Sequence, residues 1–216
     1  MRILVACERS GVVREAFRKR GHDAWSCDIE PARDGSEHHI ENDVRNILAW
    51  GSQWDLLIAH PPCTYLARSG LHWNRKDPAR EEKTQDALGL VELLMYADIP
   101  RICIENPPGR IGTAIDAREY GFRTRRATQY VQPHNFGHDA RKMTGLWLKN
   151  LPDLQPTRHV PGRCIGRFKD GSPMLRWSNQ TDSGQDRIGP SERRVELRSN
   201  TYQGIADAMA EQWGSL

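Results

Sequence analysis

The chain has 216 residues, enough for one substantial core with a small appendage and too few for two full domains. Hydrophobic residues make up 38% of it and mean hydropathy is −0.71, with no apolar run near the roughly 20 residues that cross a bilayer, which excludes a helical membrane protein. A net charge of +3 selects no partner by itself, but nine cations against five anions fall between Arg158 and Arg198, as a phosphate-tracking surface needs.

In chain order, Arg2 to Cys7 is a short run of Ile, Leu and Val closed by Glu8-Arg9-Ser10-Gly11, the pattern of a buried parallel strand and its turn. Nothing of signal-peptide composition precedes it, so a cytoplasmic location is expected. Val12, Val13, Ala16 and Phe17 recur at helical spacing, and Gly21 stands where a left-handed residue ends a helix. Ala24 to Ile29 predicts a second strand and Trp54 to Ala59 a third, stopped by Pro61 and Pro62. From Arg80 to Ala97, the side chains of Ala87, Leu88, Val91, Leu94 and Met95 share one helical face. Arg101 to Ile104 predicts a fourth strand, and Thr128 to Val131 and Leu146 to Lys149 two more. Residues 152–198 carry Pro, Gly, Arg and Ser without periodicity and predict an irregular basic excursion. Tyr202 to Trp213 then closes the chain as a helix. Alternating strand and helix signals predict an α/β fold with a doubly wound, mostly parallel sheet over residues 1–151, the basic segment 152–198 and a C-terminal return over 199–216.

Ligands of such sheets bind beyond the carboxyl ends of the strands, where the loops Cys7 to Gly11, His60 to Tyr65 and Glu105 to Gly109 converge. Small residues in the first loop let a ligand approach backbone amides at a helix N-terminus, although Gly11 equally serves a tight turn. Asp28 ends the second strand where doubly wound folds hold ribose hydroxyls, and Asp43-Val44 reads as the border of an adenine or as an ordinary surface turn. His60-Pro61-Pro62-Cys63-Thr64 presents a cysteine on a backbone stiffened by two prolines, which suits a thiolate that must be aimed at a ring carbon. Such a thiol needs a pKa below its usual ~8.5, with Arg68 a nearby cation. Glu105 stands at the next strand end, where a carboxyl can protonate or hydrogen-bond the ring nitrogen of a pyrimidine. Taken singly, Cys63 also reads as a structural thiol and Glu105 as a loop cap; together they compose a mechanism. The five cysteines form no CxxC pair and are odd in number, so reduced thiols are expected, and no histidine or cysteine spacing supports a metal site.

The run DLLIAHPPCTYLARSG resembles the proline-cysteine motif of cytosine-5 DNA methyltransferases, and ICIENPPG resembles their Glu-Asn motif, in the same order. VACERSGVVREAFRKRGHDAWSCDIEP is similar to that family's cofactor loop, helix and acidic second strand. The combination of HPPCTYLARSG, QPHNFGHDARKMTGLWLKNLP and RSNTYQGIADAMAEQWG is similar to a compact branch of phage and prophage genomes, so the likeness covers nearly the whole chain. It implies a Rossmann-like, class I S-adenosylmethionine-dependent methyltransferase, probing duplex DNA as a monomer and flipping its cytosine out of the stack. It further implies catalysis by Cys63 and Glu105 with Arg141 and Lys142 in support. The cofactor would lie among Ala6, Cys7, Glu8, Ser10, Gly11, Asp28, Ile29, Asp43, Val44, His60, Pro61, Asn200 and Thr201. The substrate would meet Pro62, Thr64, Arg68, Asn106 and Pro107, with Arg163, Arg167 and Arg176 from the basic segment. The sequence departs from the family where Glu8 and His60 replace usual glycines, where Pro107 follows Asn106, and where the arginine motif is reduced to Asp139-Ala140-Arg141-Lys142-Met143. So short a recognition segment predicts few base-edge contacts.

Competing readings keep the cofactor pocket but take a free pyrimidine nucleotide or RNA as substrate, or make the chain a non-catalytic nucleic-acid-binding module. Methylation of an exocyclic amine is disfavoured because Cys63, not an aromatic residue, follows the prolines.

Overall fold

The computed structural model describes residues 1–49, 53–74, 76–188 and 200–216; Arg193, Arg194 and Arg198 of the basic segment therefore lie outside the described residues. Its main sheet has the order β3-β2-β1-β4-β5-β7-β6. The strands are β1 (Arg2–Ala6), β2 (Asp23–Asp28), β3 (His39–Glu41), β4 (Leu56–Ala59), β5 (Arg101–Asn106), β6 (Gln129–Val131) and β7 (Thr144–Lys149). The first five run parallel, and β7 is antiparallel to both its neighbours. This is the α/β fold with a doubly wound, mostly parallel sheet that the sequence predicts.

Ile3 to Ala6 are wholly buried, as a strand covered on both faces requires. Alternate side chains serve opposite layers. Ile3, Val5, Leu56 and Ile58 pack with α1 (Val12–Arg18) and the closing helix, while Leu4, Ala6, Leu57 and Ala59 pack with α2 (Val44–Ala49), α3 (Pro78–Tyr96) and the short α4 (Ile111–Ala114). Helix α3 begins at an Asp77 cap followed by Pro78, the residue that best tolerates a first helical position. The closing helix, α5 (Gln203–Trp213), buries Ile205, Met209 and Trp213, and the indole of Trp213 donates to the Pro152 carbonyl at 3.1 Å. Strand order reverses between β1 and β4, which opens a crevice at their carboxyl ends.

A buried polar network supports the first helix. Arg14 has no exposed surface; its guanidinium donates to Ser26 Oγ at 2.8 Å and pairs with Glu15 at 2.9 Å and with Asp34. Ser26 Oγ in turn bonds His39 Nδ1 at 2.8 Å.

Two expectations need correction. Strand β3 and helix α2 lie in the stretch left without elements, because both are short and half-exposed at the sheet edge. The basic segment is not wholly irregular: β8 (Arg163–Arg167) and β9 (Pro173–Arg176) form a bulged antiparallel hairpin. Its support is Trp177, stacked on His134 at 4.2 Å between ring centroids and donating to the Val160 carbonyl at 3.1 Å. Cys164 is exposed on this hairpin. Among the described residues no helix is long and apolar enough to cross a membrane.

Candidate active site

Two cavities open at the carboxyl ends of the parallel strands. The first, about 580 Å³, lies over the β1, β2 and β4 ends. Of the residues expected around a cofactor, its wall includes Cys7, Glu8, Ser10, Asp28, Ile29 and Asp43, together with Val44, His60, Asn200 and Thr201. Ala6, Gly11 and Pro61 are not on that wall: Ala6 is buried in β1, Gly11 starts α1 with a φ of 71°, and the Pro61 carbonyl is taken by Asn106. Cys7 turns the chain off β1 with a φ of 57°, a left-handed conformation that a non-glycine residue adopts at a cost of about 1 kcal/mol or more. Burial raises the Asp28 carboxyl pKa, and the Glu30 amide that donates to it at 3.1 Å offsets this only in part. Ile29, 70% exposed, forms an apolar rim. Arg33, which local sequence patterns did not single out, reaches across to Asn200 at 2.8 Å and joins this wall.

Glu8 is the surprise of the first loop. Its buried carboxylate accepts from the Val13 amide at 2.8 Å, the Arg14 amide at 3.2 Å and Ser10 Oγ at 3.2 Å. It thereby supplies the acceptor that the first amides of α1 lack.

The second cavity, about 750 Å³, shares Cys63, Thr64, Asn200 and Thr201 with the first. Its other walls bring together Arg68, Pro107, Arg141 and Lys142 and add Asn179, Gln180 and Tyr202. Pro62 faces the first cavity instead, and Asn106 is buried, its Nδ2 donating to the Pro61 carbonyl at 2.8 Å. That bond ties the two proline loops together. A second tie is backbone: Arg68 donates to the Pro108 carbonyl at 3.0 Å, and Arg110 to the Leu66 carbonyl at 2.8 Å. A Cβ on Gly109 would lie 1.9 Å from the Leu66 carbonyl oxygen, so only glycine permits this approach. Gly109→Ala is therefore expected to shift the Cys63 loop and, under the function proposed below, to lower methyl transfer by about 100-fold, with cofactor affinity less affected. Unchanged turnover in that variant would show that the loop tie does not set the position of Cys63.

Residues His60 and Glu105 follow one another's register, since Ala59 pairs with Ile104 on adjacent strands. His60 Nδ1 bonds Glu105 Oε2, and Thr201 Oγ1 donates to the same oxygen at 3.1 Å. Glu105 itself lines neither cavity; it stands one layer behind His60 and Thr201, which do. Burial opposes both charges, but their mutual attraction prevails, raising the His60 pKa and holding the Glu105 carboxyl below the usual carboxylate range. Glu105 thus rests as a carboxylate. The neighbouring thiols are kept protonated: burial, then Asp28, pushes Cys7 and Cys27 up to about 12, and burial, then Glu105, raises Cys103.

The hairpin arginines do not join the site. Arg163 pairs with Asp182 at 2.5 Å, Arg167 donates to the Gly171 carbonyl at 2.8 Å, and Arg176 donates to the Asp182 and Leu175 carbonyls at 3.1 and 2.8 Å. None lines either of the two cavities among the described residues. Among the described residues no group of three or more His, Cys, Asp or Glu is arranged to hold a metal ion.

No protein-family model and no curated protein matches the chain. Among solved structures, it is similar to a candidate DNA modification methyltransferase encoded within a prophage of E. coli, at 13% identity and a TM-score of 0.47 over 77% of this chain and 56% of the other. The chain spans just over half the length of that neighbour.

Proposed function

We propose that this protein transfers a methyl group from S-adenosylmethionine to carbon 5 of cytosine in DNA, through a covalent adduct on Cys63. The observation that carries the reading is the place of Cys63 on the wall shared by the two cavities, between a pocket at the strand-order reversal and a cleft bordered by Arg68, Arg141 and Lys142. The first pocket fits the cofactor by its donor set. Asp28 suits ribose hydroxyls, Ile29 and Val44 suit an adenine, and Glu8 lies at the end where a cationic group would sit. When bound, S-adenosylmethionine supplies an electrophilic methyl group.

The chain's own residues do the rest. Cations at the cleft hold phosphate, and a cytosine taken out of the stack enters beside Cys63. The Cys63 thiolate gives its electron pair to ring carbon 6, the electrons shift through the ring to nitrogen 3, and nitrogen 3 takes a proton from the Glu105 side. Carbon 5 then takes the methyl group, whose bond to the cofactor's sulfonium sulfur would break and leave a neutral thioether. Loss of the carbon 5 proton to water breaks the sulfur–carbon bond, and nitrogen 3 returns its proton. For this, Glu105 must face the base, so Thr201 yields its hold when substrate enters.

The test is incubation with S-adenosylmethionine and mixed-sequence DNA containing 5-fluorocytosine, which has no carbon 5 proton to lose. A covalent protein–DNA species whose digest maps to the peptide carrying Cys63 is expected. Absence of that species, with cofactor bound, sinks the reading.

A further inference from the structure

We propose that His60 is a positioning residue that stores, on the contact between its Nδ1 and the Glu105 carboxylate, the proton that cytosine nitrogen 3 takes up. The inference rests on the Cys63 reading above and extends it to a residue that reading does not use. The geometry is specific. His60 and Glu105 end adjacent parallel strands, their side chains are 11% and 10% exposed, and Thr201 Oγ1 fixes the shared carboxylate oxygen from a third segment. The other ring nitrogen, His60 Nε2, is buried with no partner among the described residues, so among these the imidazole is held by the Glu105 contact. The charged groups facing the ring are Glu105, Glu8 from the first loop and Lys142 from the segment before β7.

An acid at this place meets a conflict. A carboxyl that is to protonate a ring nitrogen must hold a proton near neutral pH, yet Glu105 rests ionised beside His60 and Lys142. The pair resolves it, because the proton remains within one hydrogen bond. As the Cys63 sulfur–carbon 6 bond forms and electrons reach nitrogen 3, His60 Nδ1 gives its proton to Glu105 and Glu105 passes a proton on to that nitrogen, leaving a neutral imidazole and a carboxylate. On elimination the same proton returns by the same route. No further acid is needed.

The raised His60 pKa fixes the sign. The pair carries its proton below that pKa and loses it as pH rises through it, so adduct formation has a descending limb governed by His60. An amide in its place can hold Glu105 but cannot supply a proton. The experiment measures the rate of adduct formation with the 5-fluorocytosine DNA between pH 5.5 and pH 9, at saturating cofactor and DNA, for wild type, His60→Asn and His60→Gln. Near-ultraviolet dichroism checks that each variant is folded, and the longer amide serves if the shorter fails. The variants are expected to lose about 100-fold at pH 8 and much less at pH 6, with the descending limb moved to lower pH. A variant that keeps the wild-type limb, its rate lowered by one factor at every pH, overturns the role given to His60. Absence of adduct in the wild type overturns the Cys63 reading itself.

Discussion

Cys63→Ser is expected to abolish the trapped species and to lower methyl transfer into DNA on the order of 10⁴-fold or more, since a serine hydroxyl without a dedicated base is a far weaker nucleophile than a thiolate. No other described thiol at the crevice can substitute. Cys7 and Cys27 are both held protonated up to about 12, and Cys103 is wholly buried in β5, its thiol raised by that burial. The substitution exchanges one small half-buried side chain for another, so the first cavity should survive it. Calorimetry should accordingly find S-adenosylmethionine affinity within a few-fold of wild type. Trapping that persists in Cys63→Ser would remove this residue from its role, whatever the fate of turnover.

Stability should depend most sharply on Arg14. Its guanidinium is wholly buried, and it is the donor to Ser26 Oγ as well as the partner of Glu15 and Asp34. Arg14→Leu replaces the stem but leaves Asp34 without its cation and Ser26 without its donor. Removing one partner of a buried pair costs about 3–5 kcal/mol, and the part-exposed Asp34 places this case at about 3. For a chain of this size that corresponds to a fall in Tm of roughly 6–12 °C. Urea or thermal denaturation measures it directly, and a loss under about 1 kcal/mol would mean that solvent replaces the guanidinium.

The parallel core was legible because strands buried on both faces read as unbroken apolar runs, and Ile3 to Ala6, Leu56 to Ala59 and Ile102 to Ile104 all do. Their carboxyl ends fall on one rim, so the three loops could be brought together from order alone. What escaped the sequence depends on register and on distant partners. The contact of His60 with Glu105 follows from Ala59 standing opposite Ile104, which no local pattern encodes. Hairpin β8–β9 alternates polar and small residues over a half-buried Ile165, and its anchor, the stack of Trp177 on His134, joins segments far apart in the chain. Counting charges likewise did not reveal that Arg163, Arg167 and Arg176 bond acceptors at Asp182 and Gly171 in the same basic segment.

Glu8 also decides what the crevice turns away. Doubly wound folds commonly seat a pyrophosphate on the exposed amides that begin the helix after β1. Here those amides at Val13 and Arg14 already bind an internal anion, fixed in place by the covalent chain. A dinucleotide would have to expel a tethered carboxylate to reach them, and its own phosphates would be repelled by it. The first loop therefore disfavours a phosphate at this helix start and, under the function proposed above, leaves the crevice to a ligand with a positive centre.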